Sequence, residues 1–292
     1  MHLVNKNNIH HYFSCDQKNI LEVEDDSVLV FETIDASYGQ INGSKKKYDD
    51  IVVEHFVPVT GPVYIKNCMP GDALEIEILD IELSDTGSLW SRSKLGVLSI
   101  FDSIYAKGVK IDKDKKSFTF DEHLNIEYPL NPMVGCIGVA APKSIHSSYP
   151  GNHGGNLDSV NVTMGAKVVL PVFCEGALLS MGDIHAAMGE GELCGTGIEC
   201  DARVSVKIKV IKNKTIPSPR IYFKDQVSFI LSGKDYDEII PSLVHQGIEY
   251  LQEIHKIDKK DAYLLLSAIG NLKICQIVNP LKTLSLTLKL NN

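Results

Sequence analysis

The sequence predicts an α+β protein that is predominantly β, with a helical pair near the C-terminus that returns to a final strand. Three observations predict it. Apolar residues recur at a period of two in several long segments, they recur at three- and four-residue spacing only between residues 240 and 270, and Gly-Pro and Pro-Gly pairs punctuate the segments between.

In chain order, Leu74-Glu-Ile-Glu-Ile78 alternates apolar and charged side chains, the pattern that buries one face of a sheet. The phase then slips, since Leu79, Ile81 and Leu83 continue on odd numbers, and a bulge or bend near Leu79 is expected to restore a single buried face. Val204, Val206, Ile208 and Val210 oppose Ser205, Lys207 and Lys209, and Leu284 to Leu290 repeats the alternation against Ser285, Thr287 and Lys289. Ile240, Val244, Ile248, Leu251 and Ile254 form a helical stripe, with Pro241 tolerable only near its start. Asp258 is a good N-cap for a second helix that Gly270 ends. The 292 residues are long enough to bury a large core and are expected to form one catalytic unit, β-rich over 1–235, helical over 238–270 and closing on a strand at 282–290.

Composition narrows the function. Thirty-seven Asp and Glu against 29 Lys and Arg give a net charge of -8, which repels phosphate backbones, so nucleic acid is not an expected partner. The basic runs Lys45–Lys47 and Lys113–Lys116 have the character of solvated turns. No uninterrupted apolar run approaches the roughly 18 residues of a membrane span, and the N-terminus has no apolar signal region, so a cytoplasmic protein without membrane contact is expected. Seven cysteines, an odd number without a close CxxC pair, are expected to be reduced thiols, and Cys136, Cys174, Cys194 and Cys200 to be inert packing.

Residues 131–199 concentrate glycine, histidine and carboxylates beyond what packing needs. In Gly182-Asp-Ile-His185 the polar pair is two apart, so on an extended backbone Asp183 and His185 leave the same face, a half-site for a divalent metal. His153 and Asp158, in a loop made pliable by Gly154-Gly155, can add ligands, and Glu199 is a further candidate. The structural alternative is a hydrogen-bonded Asp-His turn. Glu190 and Glu192 lie on one face of an extended segment close by and are the candidate catalytic carboxylates, Glu192 first. Gly154, Gly155 and Asn156 are candidates for holding substrate, Lys143 for orienting its carbonyl, and His10-His11 for reaching the site from the N-terminal arm. There is no GxSxG, HExxH or Walker A motif, and Gly189, Gly191 and Gly195 do not have dinucleotide-binding spacing.

These segments resemble the acetamidase/formamidase family, hydrolases of short linear amides. The resemblance rests on Asp35-Ala-Ser-Tyr-Gly-Gln40, Gly61-Pro-Val-Tyr-Ile65 with Pro70-Gly-Asp72, Gly135-Cys-Ile-Gly-Val-Ala-Ala-Pro142, His153-Gly-Gly-Asn-Leu-Asp158, Gly182-Asp-Ile-His-Ala-Ala-Met-Gly-Glu-Gly-Glu192 and Gly197-Ile-Glu199, in the family's order. It implies a β-rich fold peculiar to the family, a homodimer or larger oligomer, and a divalent metal held largely by the 153–158 and 183–185 segments. Two positions depart from the family pattern: Met188 stands where glutamine is usual, and Glu190 where aspartate is usual.

The expected chemistry is hydrolysis of formamide- or acetamide-type substrates. A metal (zinc first, with manganese, iron or calcium as alternatives) polarises the carbonyl and activates water, Glu192 relays the proton, and backbone N–H groups of Gly154-Gly155 or Gly189-Gly191 steady the oxyanion. Two alternatives use the same residues. One is hydrolysis of a cyclic amide, imide or lactone, suggested by Met188, and the other is a non-catalytic, metal-stiffened binding protein.

Overall fold

A computed structural model describes residues 1–41 and 51–290, so the Lys45–Lys47 run lies outside the described residues. Two large sheets carry the architecture. The first has nine strands, in the order His2–Val4, Val28–Thr33, Ala202–Ile211, Ala73–Leu83, Lys167–Pro171, Arg220–Phe223, Gln226–Gly233, Lys282–Lys289 and Asn271–Gln276. The second has eleven, and its centre is Leu179–His185, paired with Met133–Gly138, Glu199–Cys200 and Val59–Ile65.

The alternating segments form the strands they predict. Leu74, Ile76 and Ile78 are buried, Leu79 is 40% exposed, and Ile81 and Leu83 turn back inward. The register moves from Ser205↔Asp80 to Val206↔Ile78, leaving Leu79 as the unpaired residue of a bulge. Side chains from both sheets meet in one core, with Ile76, Val206 and Leu170 from the first against Val134, Ile137 and Met181 from the second.

The helical pair is α1 (Tyr236–His255) and α2 (Lys259–Ile269). The first begins two residues before the expected 238, capped by Asp235, which accepts from Glu238 N–H, and Pro241 sits in its second turn. Asp258 caps the second by accepting from Lys260 and Asp261 N–H. Together they bury Ile239, Leu243, Leu251 and Leu266 against Leu284, Leu286 and Leu288 of the last long strand. Thr283, Ser285 and Thr287 on the other face are buried too, so that strand is covered on both sides. No helix among the described residues is long and apolar enough to cross a membrane.

One expectation is corrected. Cys15 and Cys174 are disulfide-paired, with their Cα atoms 5.8 Å apart, and tie the N-terminal arm to the 172–178 turn. The partners are 159 residues apart in sequence, a distance at which spacing carries no signal. Cys68, Cys136, Cys194, Cys200 and Cys275 are free; Cys136 and Cys200 are buried, and burial pushes both thiols up, as inert packing requires, whereas Cys194 is exposed and is not packing.

Candidate active site

The site is assembled at the middle of the eleven-stranded sheet. Leu179–His185 supplies Asp183 and His185, and Glu199 lies directly opposite His185 on the neighbouring strand. On the other side Gly135 faces Asp183, between the pairs Val134↔Ile184 and Cys136↔Gly182. Asp158 follows the short strand Gly154–Asn156, and Glu192 enters from a turn in which its N–H donates to Gly189 O and its carbonyl accepts from Gly195 N–H.

Asp158, Asp183 and His185 can bring ligand atoms within 4.8 Å of one another, as can His185, Glu192 and Glu199, and every one of these residues is buried. His185 Nε2 is 3.3 Å from Asp183 Oδ1 and 3.1 Å from Glu199 Oε1. Neither approach has hydrogen-bond alignment, and both ring nitrogens lack a hydrogen-bond partner, as do Asp158 Oδ1, Glu192 Oε2 and Glu199 Oε2. Two glycines make the crowding possible. A Cβ at Gly135 would stand 2.6 Å from Asp183 Oδ2 and 2.7 Å from Asp158 Oδ1, and one at Gly197 would stand 2.7 Å from His185 Nδ1. Asp158, Asp183 and Glu192 have φ of +46°, +59° and +49°, conformations that non-glycine residues keep only where the surroundings hold them.

The electrostatics are lopsided. Asp158, Asp183, Glu192 and Glu199 face one imidazole with almost no water contact. Burial, then the Asp183 charge, raises Asp158, and burial, then the Asp158 charge, raises Glu192 well above its ordinary range. Burial also raises Glu199, against the opposing pull of His185. Burial disfavours charge on His185, but the Glu199 and Asp183 carboxylates outweigh it and hold its pKa well up. Buried like charges of this number need protons or a cation among them. Orphaned acceptor atoms aimed at one small space, with an imidazole and carboxylates as donors, fit a divalent cation.

Asp183, Glu192, Glu199 and Asn156 open onto a cavity of about 330 Å³ whose wall includes Phe56 and Trp90. Asn156 is buried there with Oδ1 unpartnered. Other sequence candidates lie elsewhere. Glu190 is exposed and pairs with Lys273 at 3.2 Å, because 189–195 is a pair of turns rather than an extended segment and sends the two glutamates apart. Lys143 is exposed and lines none of this cavity. His153 is buried against the Phe13 ring at 5.0 Å, outside both ligand groups, and burial lowers its pKa to about 4. Gly154 and Gly155 are buried in the sheet, Gly154 N–H donating to Gly151 O, while Gly191 N–H donates to Cys275 O. Those two amides are therefore spent within the fold. Met188 lines a neighbouring apolar cavity with Phe118 and Phe120. His10 bonds Ser180 Oγ at 2.9 Å, and His11 stacks on His146 at the rim of the site cavity.

Asn279 has no catalytic or ligand motif around it in the sequence. Its Nδ2 donates to Asp158 Oδ2 at 2.5 Å, from a turn that Gln276 holds by accepting from Val278 and Asn279 N–H and donating to Leu281 O and Thr283 Oγ1. The only local signal is the Asn279-Pro280 dipeptide, which marks a turn and nothing more.

The Acetamidase/Formamidase family profile matches residues 2–149 and 139–289. A crystal structure of an acetamidase from Bacillus halodurans superposes with a TM-score of 0.93 at 32% identity, covering 98% of this chain and 97% of that one. A predicted acetamidase/formamidase from Thermoanaerobacter tengcongensis gives 0.93 at 33% identity, covering 99% and 95%. A formamidase of Methylophilus methylotrophus is 24% identical over 70% of this chain, which spans 64% of that relative's length. With its buried His-carboxylate centre, its two-sheet fold and a family match that runs almost end to end, this chain belongs to the acetamidase/formamidase family.

Proposed function

We propose that this chain hydrolyses the C–N bond of small linear amides, of the formamide and acetamide type, to ammonia and a carboxylate, with a divalent cation bound in the site. One observation carries the proposal: Asp158, His185, Glu192 and Glu199, buried with unpartnered ligand atoms, crowd together with Asp183, and Asp183, Glu192 and Glu199 line a cavity that gives a substrate access. A purely structural metal has no need of such a cavity. The cyclic-amide alternative leaned on Met188, which faces a different cavity.

Asp158, Asp183, His185 and Glu199 are the residues that would hold the cation, with zinc or manganese suited to the mixed imidazole and carboxylate set. When bound, it supplies polarisation of the amide carbonyl and a lowered pKa for water. Glu192 takes a proton from the attacking water on its unpartnered Oε2 and returns it to the departing nitrogen, since an amide anion leaves poorly. Asn156 Oδ1 accepts a substrate N–H and orients the amide plane. Asn279 holds Asp158 in place. A cytoplasmic homodimer or larger assembly belongs to the same reading.

The test is elemental analysis with ammonia release from formamide and acetamide, on wild type and His185→Ala. Metal and ammonia present in wild type and both lost in the variant are expected. Metal without ammonia from either amide would overturn the linear-amide assignment, and no metal in any preparation would overturn the cation.

A further inference from the structure

The cavity beside the carboxylates is larger and more apolar than formamide or acetamide can use. Its volume of about 330 Å³ is at the lower end of the ~300–1,000 Å³ range of pockets that enclose drug-sized ligands. Asn156 and the site carboxylates line it together with the apolar Val57, Leu95 and Pro280, the Phe56 and Trp90 rings, and the cationic Arg92 and Lys94. The Phe56 and Trp90 rings pack at 5.1 Å between centroids and an interplanar angle of 50°. They belong to a small core of their own, with Ile41, Ile51 and Ile104, separate from the core between the sheets. The backbone at Trp90 is clamped on both sides by Thr196, whose Oγ1 accepts from Trp90 N–H at 3.2 Å and donates to Trp90 O at 2.7 Å. This is a fixed aromatic wall within the same cavity as the proposed reacting end.

We infer that the preferred substrates are primary amides with an apolar acyl group larger than methyl, aromatic in particular, whose tail packs on Phe56 and Trp90 while the carboxamide meets the carboxylates. The inference rests on the amide-hydrolase reading and adds the acyl group to it. An acetyl group leaves the wall uncovered, whereas each further buried methylene is worth about a fourfold gain in binding. A phenyl ring also gains from stacking geometry. The gain is in binding shared by ground and transition states, so it falls mainly on KM.

The test measures kcat/KM by ammonia release for formamide, acetamide, butyramide and phenylacetamide with the metallated full chain. Trp90 is the single tryptophan, so its fluorescence also reports occupancy of the cavity by the product acids acetate and phenylacetate. The expected result is a rise of at least ~tenfold in kcat/KM from acetamide to phenylacetamide, carried by KM, with phenylacetate changing Trp90 emission at concentrations where acetate does not. In Phe56→Ala and in Trp90→Phe, the phenylacetamide-to-acetamide ratio should fall several-fold. Acetamide hydrolysed as well as or better than the longer amides overturns the inference and leaves the amidase reading standing. No ammonia from any of the four overturns that reading and the inference with it.

Discussion

In the nine-stranded sheet, Leu74, Ile76 and Ile78 point into the core while Glu75 and Glu77, on the opposite face, pair in register with Lys209 and Lys207. In the eleven-stranded sheet, Met133–Gly138, Gly154–Asn156 and Leu179–His185 are buried at every residue, charged ones included. Both regions contribute to the same central core, but they spend their sequence differently. Along Ala73–Leu83 the first uses polar residues to mark a solvated face, and where it buries Ser285 and Thr287 they are uncharged. The second buries charged residues, and the fold tolerates that only if something compensates the charge. Regular alternation therefore marks scaffold here, and its failure marks chemistry.

The strongest way to break this contrast is at His185. His185→Ala removes the imidazole common to both ligand groups and is expected to lower kcat/KM by at least ~10³-fold, the scale of losing a catalytic centre's charge stabilisation. Bound metal should fall with it by elemental analysis. Activity retained within tenfold would place the chemistry elsewhere.

His185 is a residue the sequence points to, and the contrast between the two sheets explains why. The scaffold was legible because one face meets water, so the strands at 74–83 and 202–211, and even the bulge at Leu79, follow from periodicity. Asp183 and His185 were legible as neighbours two apart. Glu190 was misplaced because alternation was applied to turns. Asn279 touches Asp158 across 121 residues, and Gly135 sits beside Asp183 across a strand pairing, relations that only the fold creates.

Glycines sharpen the comparison at matched cost in atoms. Gly135→Ala pushes a methyl into two site carboxylates and should lower kcat/KM by about 100-fold, the cost of an ångström-scale misplacement, while leaving the fold intact by circular dichroism. Gly247→Ala, in α1, meets the flexible ends of Leu286 and Leu266 at 2.8–3.1 Å and gains about 1 kcal/mol in helix propensity. Stability should stay within about 1 kcal/mol and kcat/KM should not change. Equal losses in the two variants would erase the distinction between the site and the scaffold.

Asn279→Ala should cost about tenfold in kcat/KM, because one charge-assisted hydrogen bond to a buried carboxylate is worth about 1.5–3 kcal/mol. Asn279→Asp should be worse, since it sets a like charge against Asp158. The same activity in both variants would mean that Asn279 does not position Asp158.

The smallest effect tests whether burial of polar groups in this sheet extends beyond the site. His10 pairs through its strand with Val59–Ile65, bonds Ser180 Oγ and Tyr12 O, and is lowered by burial to about 4. In the unfolded chain its pKa is near 6.5. Between those values the unfolded state binds the proton and the native state refuses it, so stability rises with pH across the window and is lost as pH falls from about 6.5 toward 4. At 1.36 kcal/mol per unit, and allowing for its partial exposure, His10 contributes about 2 kcal/mol of this acid sensitivity. His10→Gln keeps a group able to reach Ser180 but does not titrate, so its urea-unfolding free energy should lose about that much less than wild type between pH 7 and pH 4.5. His153, buried with its pKa lowered to about 4, adds to the same trend and the raised Asp158, Glu192 and Glu199 oppose it, so the difference between the two proteins is what reports His10. Parallel pH profiles for the two proteins would mean that His10 is protonated without cost.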